Sequence, residues 1–230
     1  MPRVFIGVGH GGTDAGAVSG SLVERDINLI MATACYTMLK QAGVTVKMSR
    51  STNTERDTLA QEIAECKAFK PDIAIEIHNN AGGGNGFEVF TNQTARSLSL
   101  ADAITAEVKA IGQNSRGVKY NAGFGWTKQA GCVVLCEGFF LDNATDRAIA
   151  DTIAEQQRFG EAYARAILQY LGLPLPEHKR LYLRVNDEVV SMQHVAVDGN
   201  NYIKLRDLTK VFNCEVGWDG ARKMPYIKYR

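Results

Sequence analysis

Short apolar runs alternate with helically periodic stretches across residues 4–171, and this alternation most restricts what the chain can fold into. The runs are Val4 to Val8, Val44 to Met48, Asp72 to His78, Phe87 to Phe90 and Cys132 to Cys136. Between them, apolar residues recur every three or four positions: Ile27, Ile30, Met31, Ala34, Met38 and Leu39, then Leu59, Ile63 and Cys66, then Leu98, Ala101, Ile104 and Val108. A long fourth period runs from Ile149 to Leu171, with Gly172 as its stop. Strands and helices in alternation bury their apolar faces as a sheet with helices on both sides. The expectation is an α/β fold with a mostly parallel mixed sheet.

The pattern changes at Leu173-Pro174-Leu175-Pro176-Glu177, where each Pro biases its neighbour to an extended form. We take 1–173 as one domain, 174–179 as a linker and 180–230 as a small β-rich α+β module. That module shows short β-type runs, turns at Asn186-Asp187 and Asp198-Gly199-Asn200, and one short helix over Leu205 to Phe212. The whole chain carries a formal charge of +1, so no bulk charge recruits nucleic acid or an acidic membrane surface. No apolar run approaches the roughly 18 residues of a membrane span. The five cysteines contain no C-x-x-C pair, which points to reduced, buried thiols rather than a disulfide framework or a zinc ribbon. Met1-Pro2-Arg3 leads straight into a strand with no room for a cleaved secretory signal, so the expected place of synthesis is the cytoplasm.

Gly7-Val8-Gly9-His10-Gly11-Gly12 satisfies the dinucleotide-binding G-x-G-x-x-G pattern. The context does not support that reading. The third Gly should open a helix, but Thr13 to Gly20 holds two further glycines and no helical period, so the first helix starts near Leu22. The side chains are more informative. His10 follows one strand, His78 ends another, and Glu24 stands at the start of the first helix. In a parallel sheet the carboxyl ends of the strands share one edge, where α/β proteins place their sites. Two His and one Glu form a ligand set for catalytic zinc, with the fourth position left to water. Glu137, just after the fifth apolar run, would reach the same edge and serve as the proton-transferring carboxylate. Taken singly, each of these residues also has an ordinary structural reading; their joint placement is what suggests a site.

At these residues the sequence resembles the zinc-dependent N-acetylmuramoyl-L-alanine amidases. The matching stretches are Gly9-His10-Gly11-Gly12-Thr13-Asp14-Ala15-Gly16-Ala17, Glu24, Ser49-Arg50, Ile77-His78-Asn79-Asn80-Ala81, Gly86 to Phe90 and Leu135-Cys136-Glu137-Gly138-Phe139. The resemblance implies Zn²⁺ on His10, Glu24 and His78 and Glu137 as catalytic carboxylate. It also implies cleavage of the amide joining N-acetylmuramic acid to L-alanine in bacterial peptidoglycan, as an endolysin or autolysin would perform. Asn79 and Asn80 become candidate supporting or substrate-contacting residues. Some positions depart from the pattern. Glu76 stands where a small residue, often Ser, is usual; Gln61-Glu62 and Glu65-Cys66 replace the usual Arg and Ala-Asn; Gly131 replaces a Pro. Strand alternation puts Glu76 on the His78 face, where it either accepts an imidazole N–H or is an exposed acid of the sheet.

The tail, through Val197 to Leu208 and Val216 to Asp219, is similar to the small stalk-like module named after the N-terminal region of copper amine oxidases. Copper does not follow, because His178 and His194 have no ligand cluster around them in sequence. Tyr202, Trp218 and Tyr226 read as core of the module, with sugar stacking as the alternative. Wall attachment and self-association into a homo-oligomer are both open for it. Two rivals to the amidase reading are a zinc peptidase cutting within the stem peptide and a non-catalytic wall-binding protein with structural metal.

Overall fold

A computed structural model describes residues 1–55 and 58–176 and, beyond them, 180–185, 188–197, 200–203, 205–210, 212–219 and 224–229. The chain divides into two compact units, Met1–Leu175 and Pro176–Arg230.

The first unit opens with β1 (Arg3–Val8), a two-residue hairpin of β2 (Val18–Ser19) and β3 (Leu22–Val23), α1 (Glu24–Gln41) and β4 (Thr45–Met48). It continues through α2 (Leu59–Phe69), β5 (Ile73–Asn80), β6 (Phe87–Thr91), α3 (Ala95–Ala110) and β7 (Ser115–Lys119). A 3₁₀ turn (Trp126–Lys128) leads to β8 (Val133–Phe140), α4 (Ala144–Arg147) and α5 (Ile153–Tyr170). Six strands form one sheet in the order β4-β1-β5-β8-β6-β7. β4, β1, β5 and β8 run parallel, and β6 is antiparallel to β8. The sheet is therefore mostly parallel and mixed, as expected.

The apolar faces explain the layers. Ile6, Val8, Ile75, Ile77 and Val134 meet Met31, Cys35, Ile104, Phe159, Tyr163 and Ile167 of α1, α3 and α5 in one buried cluster. The opposite face carries a smaller cluster of Phe5, Cys66, Ala74, Phe90, Trp126 and Leu135 under α2. Burial of such side chains contributes roughly 1.5–3 kcal/mol each. On α5, Gly160 lets two helices close up, since a Cβ there would lie 2.0 Å from the Met31 carbonyl oxygen.

In the first unit the structure differs from the sequence expectation in several places. The fifth strand does not end at Cys136; pairing with β6 carries it to Glu137 and pairing with β5 to Phe140, so Glu137 lies within β8. The third strand likewise runs past His78 to Asn80. The long last helix is broken: Ile149 lies between α4 and α5, because Thr152 and Glu155 form a capping box that restarts the helix at Ile153. The strand β7 was not expected, since Ser115-Arg116-Gly117-Val118-Lys119 shows no apolar alternation; as an edge strand it needs only its pairing with β6.

The second unit contains β9 (Arg180–Val185), β10 (Glu188–Val197), β11 (Asn200–Ile203), a 3₁₀ turn (Leu205–Lys210), β12 (Cys214–Asp219) and β13 (Met224–Tyr229). The sheets are β11-β10-β9 and β12-β13, both antiparallel. The short helix expected over Leu205 to Phe212 is this 3₁₀ turn. Trp218 is 58% exposed and Tyr226 is also exposed, which corrects the expectation that both are core. Their strands form a two-stranded ribbon. The turn residues Asn186, Asp187, Asp198 and Gly199, the linker residues 177–179 with His178, and the Tyr202 and His194 side chains lie outside the described residues. All five cysteines are free and buried. Among the described residues, no helix is long and apolar enough to cross a membrane.

Candidate metal centre

His10 comes two residues after β1 and adopts a left-handed backbone with φ 64°. That conformation is costly for a residue with a side chain, by about 1–3 kcal/mol, and is found where the surroundings enforce it. Here Gly11 and Asp14 exchange two backbone hydrogen bonds of 3.1 and 2.9 Å, closing the loop on which the ring sits. The Asp14 carboxylate accepts from His10 Nδ1 at 2.9 Å and leaves Nε2 turned inward.

Glu24 is the first residue of α1 and is buried. Val23 offers the helix no side-chain cap, so backbone carbonyls serve instead: the Glu24 N–H donates to the Ala17 carbonyl at 2.9 Å, and the Arg25 N–H to that of Ala15 at 3.1 Å. The Glu24 carboxylate returns the contact. Its Oε2 accepts from the Ala17 N–H at 2.9 Å and meets His10 Nε2 at 3.0 Å. Its Oε1 accepts from His78 Nδ1 and from the Asn79 N–H, both at 3.0 Å. One ligand atom from each of His10, Glu24 and His78 lies within 4.8 Å of the others.

Two glycines make this convergence sterically allowed. A Cβ on Gly9 would stand 2.3 Å from the His78 ring, and one on Gly16 would stand 2.6 Å from both Glu24 Oε2 and His10 Cδ2. Behind them, the buried Arg50 guanidinium donates to the carbonyls of Val8, Gly9 and Arg25 at 3.1, 3.1 and 2.7 Å. Asn28 bridges Gly9 and Asn79: its Nδ2 donates to the Gly9 carbonyl at 3.0 Å, and its Oδ1 accepts from Asn79 at 2.7 Å.

The three groups set one another's charge. Burial alone would raise the Glu24 carboxyl, but hydrogen bonds from His10 and His78 outweigh it and hold the group well below the usual carboxylate range. Burial alone would lower both imidazoles, but Glu24 reverses this, with Asp14 assisting at His10 and Glu76 at His78; both rings are raised. Without metal, the carboxylate is thus flanked by two rings favouring their charged form.

Glu137 lines the same cavity, of about 380 Å³, together with His10, Glu24, His78, Leu59 and Trp126. Burial pushes its carboxyl up to about 7; Glu24, Glu88 and Glu76 add to the rise and His78 opposes it. Its Oε2 is buried without a hydrogen-bond partner. The structure thus brings His10, Glu24, His78 and Glu137 together, with Asn79 and Glu76 beside them. Glu76 is 4% exposed, so it is not an exposed acid of the sheet. Asn80 is not brought in: it does not line the cavity, and its Oδ1 accepts from the Ala81 N–H at 2.9 Å. A register shift in the β5–β8 pairing between His78 and Asn80 breaks the alternation that would have put both on one face. Sequence reasoning noted Arg50 and Asp14 only as parts of matching stretches and missed Asn28 altogether; its one signal is the polar residue four positions after Glu24 on an otherwise apolar helix face.

A parallel-sheet edge that gathers two imidazoles, one buried carboxylate and a second carboxylate whose Oε2 has no hydrogen-bond partner offers the donor types that a metal-dependent hydrolase uses. The chain belongs to the N-acetylmuramoyl-L-alanine amidase family, whose model matches residues 4–169. Its reaction is the peptidoglycan amide hydrolysis that this name describes. It is 30% identical over 179 residues to the N-acetylmuramoyl-L-alanine amidase CwlM of Bacillus licheniformis, covering 75% of this chain and 70% of that protein. It is 29% identical over 180 residues to the endolysin of Bacillus phage SPP1, covering 74% and 66%. The catalytic domain of CwlV, an amidase from Bacillus (Paenibacillus) polymyxa var. colistinus, superposes with a TM-score of 0.70 at 30% identity, covering 76% of this chain and all of that domain.

Proposed function

We propose that the chain hydrolyses the amide between N-acetylmuramic acid and L-alanine as a zinc enzyme, with His10, Glu24 and His78 as the metal ligands and Glu137 as the catalytic carboxylate. The carrying observation is the clustering of the three ligand atoms within 4.8 Å, beside a Glu137 Oε2 that has no partner of its own. Two imidazole nitrogens and one carboxylate oxygen are the donors that catalytic zinc takes, and His10 Nε2 and His78 Nδ1 both face the Glu24 carboxylate at 3.0 Å. When bound, zinc polarises the amide carbonyl and makes water a better nucleophile near neutral pH.

The protein's own groups do the rest. Glu24, His10 and His78 hold the ligand atoms in place before any substrate arrives, which limits reorganisation during reaction. Glu137 receives a proton from the attacking water and passes it to the departing amine nitrogen of L-alanine. Burial, which favours the protonated form of this carboxyl, helps it hold the proton between the two halves of that transfer. Leu59, Phe124 and Trp126 give the cavity an apolar wall that keeps the proton transfer away from bulk water. Under the same reading, 180–230 is an accessory module for wall contact or self-association, supported by Trp218 and Tyr229, which are 58% and 74% exposed.

The test is digestion of purified peptidoglycan followed by mass spectrometry, with metal analysis of the protein used. Intact glycan strands, new free L-alanine amino groups and about one zinc per chain are expected. Cuts inside the stem peptide would make it a peptidase, and wall binding with no cuts after zinc addition would make it a binding protein.

A further inference from the structure

His10 and His78 each turn one ring nitrogen toward Glu24, which leaves a second nitrogen on each ring to be accounted for. At His10 the second nitrogen meets Asp14 at 2.9 Å. At His78 it meets the Glu76 carboxylate, with Oε1 3.4 Å from Nε2. We infer that Glu76 is a positioning residue that holds the His78 imidazole through Nε2, keeps Nδ1 free for the metal, and thereby sets how tightly this chain retains zinc. The inference rests on the zinc reading above.

Three observations carry it. Glu76 is 4% exposed, and a buried carboxylate without a polar partner is expensive. The nearby group that repays that cost is the His78 ring, two residues along the same strand and on the same face. Room for the carboxylate is made by the strand neighbour Gly7, its register partner on β1: a Cβ there would stand 3.2 Å from Glu76 Cγ and 2.6 Å from Glu62 Oε1. A carboxylate that accepts the outer N–H of a ligating imidazole fixes its tautomer and ring angle and makes the inner nitrogen a better donor. Each ring of this site is then backed by its own acid.

The experiment uses the full chain with Glu76→Gln, Glu76→Ser and Glu76→Met, each checked for folding by circular dichroism. Zinc affinity is read by competition with a chromophoric chelator, and the His78 Nε2–H is followed by NMR in the zinc-loaded protein. Loss of the acceptor should weaken zinc binding roughly 10- to 100-fold. Both Ser, which is too short, and Met, which fills the volume but accepts no N–H, should show this loss, while Gln keeps part of the affinity. A slowly exchanging Nε2–H should be present in the wild type and lost in the Met variant. Wild-type affinity in the Ser and Met variants overturns the inference. So does wild-type affinity in Met with loss only in Ser, which is the signature of packing. If Ser or Met fails to fold, the isosteric Gln variant decides: unchanged affinity together with an unchanged Nε2–H signal in Gln overturns the inference. A wild type that holds no zinc overturns the metal reading itself, and this inference with it.

Discussion

His78 of β5 and Glu137 of β8 are register partners on adjacent parallel strands. Neighbouring strands lie about 4.8 Å apart and paired residues point to the same face, so the imidazole and the carboxylate are set side by side by backbone pairing. The same strand residue, Glu137, is also the partner of Glu88 on β6. Burial is the main cause of the raised Glu137 carboxyl, and Glu24, this opposed Glu88 and Glu76 add to it.

Replacing Glu137 with Gln should leave zinc content and wall binding intact and lower turnover about 10²- to 10⁴-fold. The measurement is the rate of free L-alanine amino-group release at saturating zinc. Turnover within a few-fold of wild type would remove Glu137 from the chemistry.

Metal removal should abolish turnover, and zinc return should restore it. Glu24→Ala, His10→Ala and His78→Ala should each lose the ion and stay inactive after zinc return. Atomic absorption on the dialysed proteins checks this, and any one of these variants that still holds stoichiometric zinc is not missing a ligand.

Ala at Gly9 brings a Cβ to 2.3 Å from the His78 ring. The ring must move by an ångström or so, and misplacement of that size costs on the order of 10²-fold in rate. Zinc affinity and turnover should fall together while the circular dichroism spectrum stays unchanged.

The metal-free protein should show a pH signature from Glu137. Its folded carboxyl, at about 7, lies above the ordinary 4.5, so folding favours the protonated form. No penalty exists below 4.5; one grows as pH rises through the interval and is complete above about 7, reaching at most about 3 kcal/mol. Glu24 contributes the opposite slope, since its depressed carboxyl adds stability above 4.5 that is lost as pH falls. The difference in Tm between Glu137→Gln and wild type should therefore be small at pH 4.5 and favour the variant by several degrees at pH 8. A pH-independent difference contradicts the burial of this group.

A chain ending at Leu175 should fold and release stem peptides with a free L-alanine amino group from soluble muropeptides at close to the full-length rate. His10, Glu24, His78, Glu137 and both apolar clusters of the sheet lie in the first unit. If the truncated chain folds but is inactive on soluble substrate, the second unit takes part in the chemistry.

Local pattern was enough for much of this. The apolar runs beginning at Val4 and Phe87 and the helical periods after Glu24 and Leu59 appear as β1, β6, α1 and α2, because each buries one continuous face. The set His10, Glu24, His78, Glu137 was legible because the chain has only four His and because each residue of the set follows or ends an apolar run or opens a helical period in the sequence. What local pattern does not carry is pairing between strands. β7 has no apolar period and exists through β6. The extension of β8 past Cys136 is paid for by hydrogen bonds to β5 and β6.

Residue chemistry along the chain thus determined which groups form the site and the class of ion they suit, since donor type is a property of the side chain. Tertiary structure decided which nitrogen of each imidazole faces Glu24, that Asn80 turns away at a register shift, and that Glu76 is buried against His78 rather than exposed. Those outcomes depend on strand register and on the room left by Gly7, Gly9 and Gly16, which are distances between segments far apart in sequence and have no local signature.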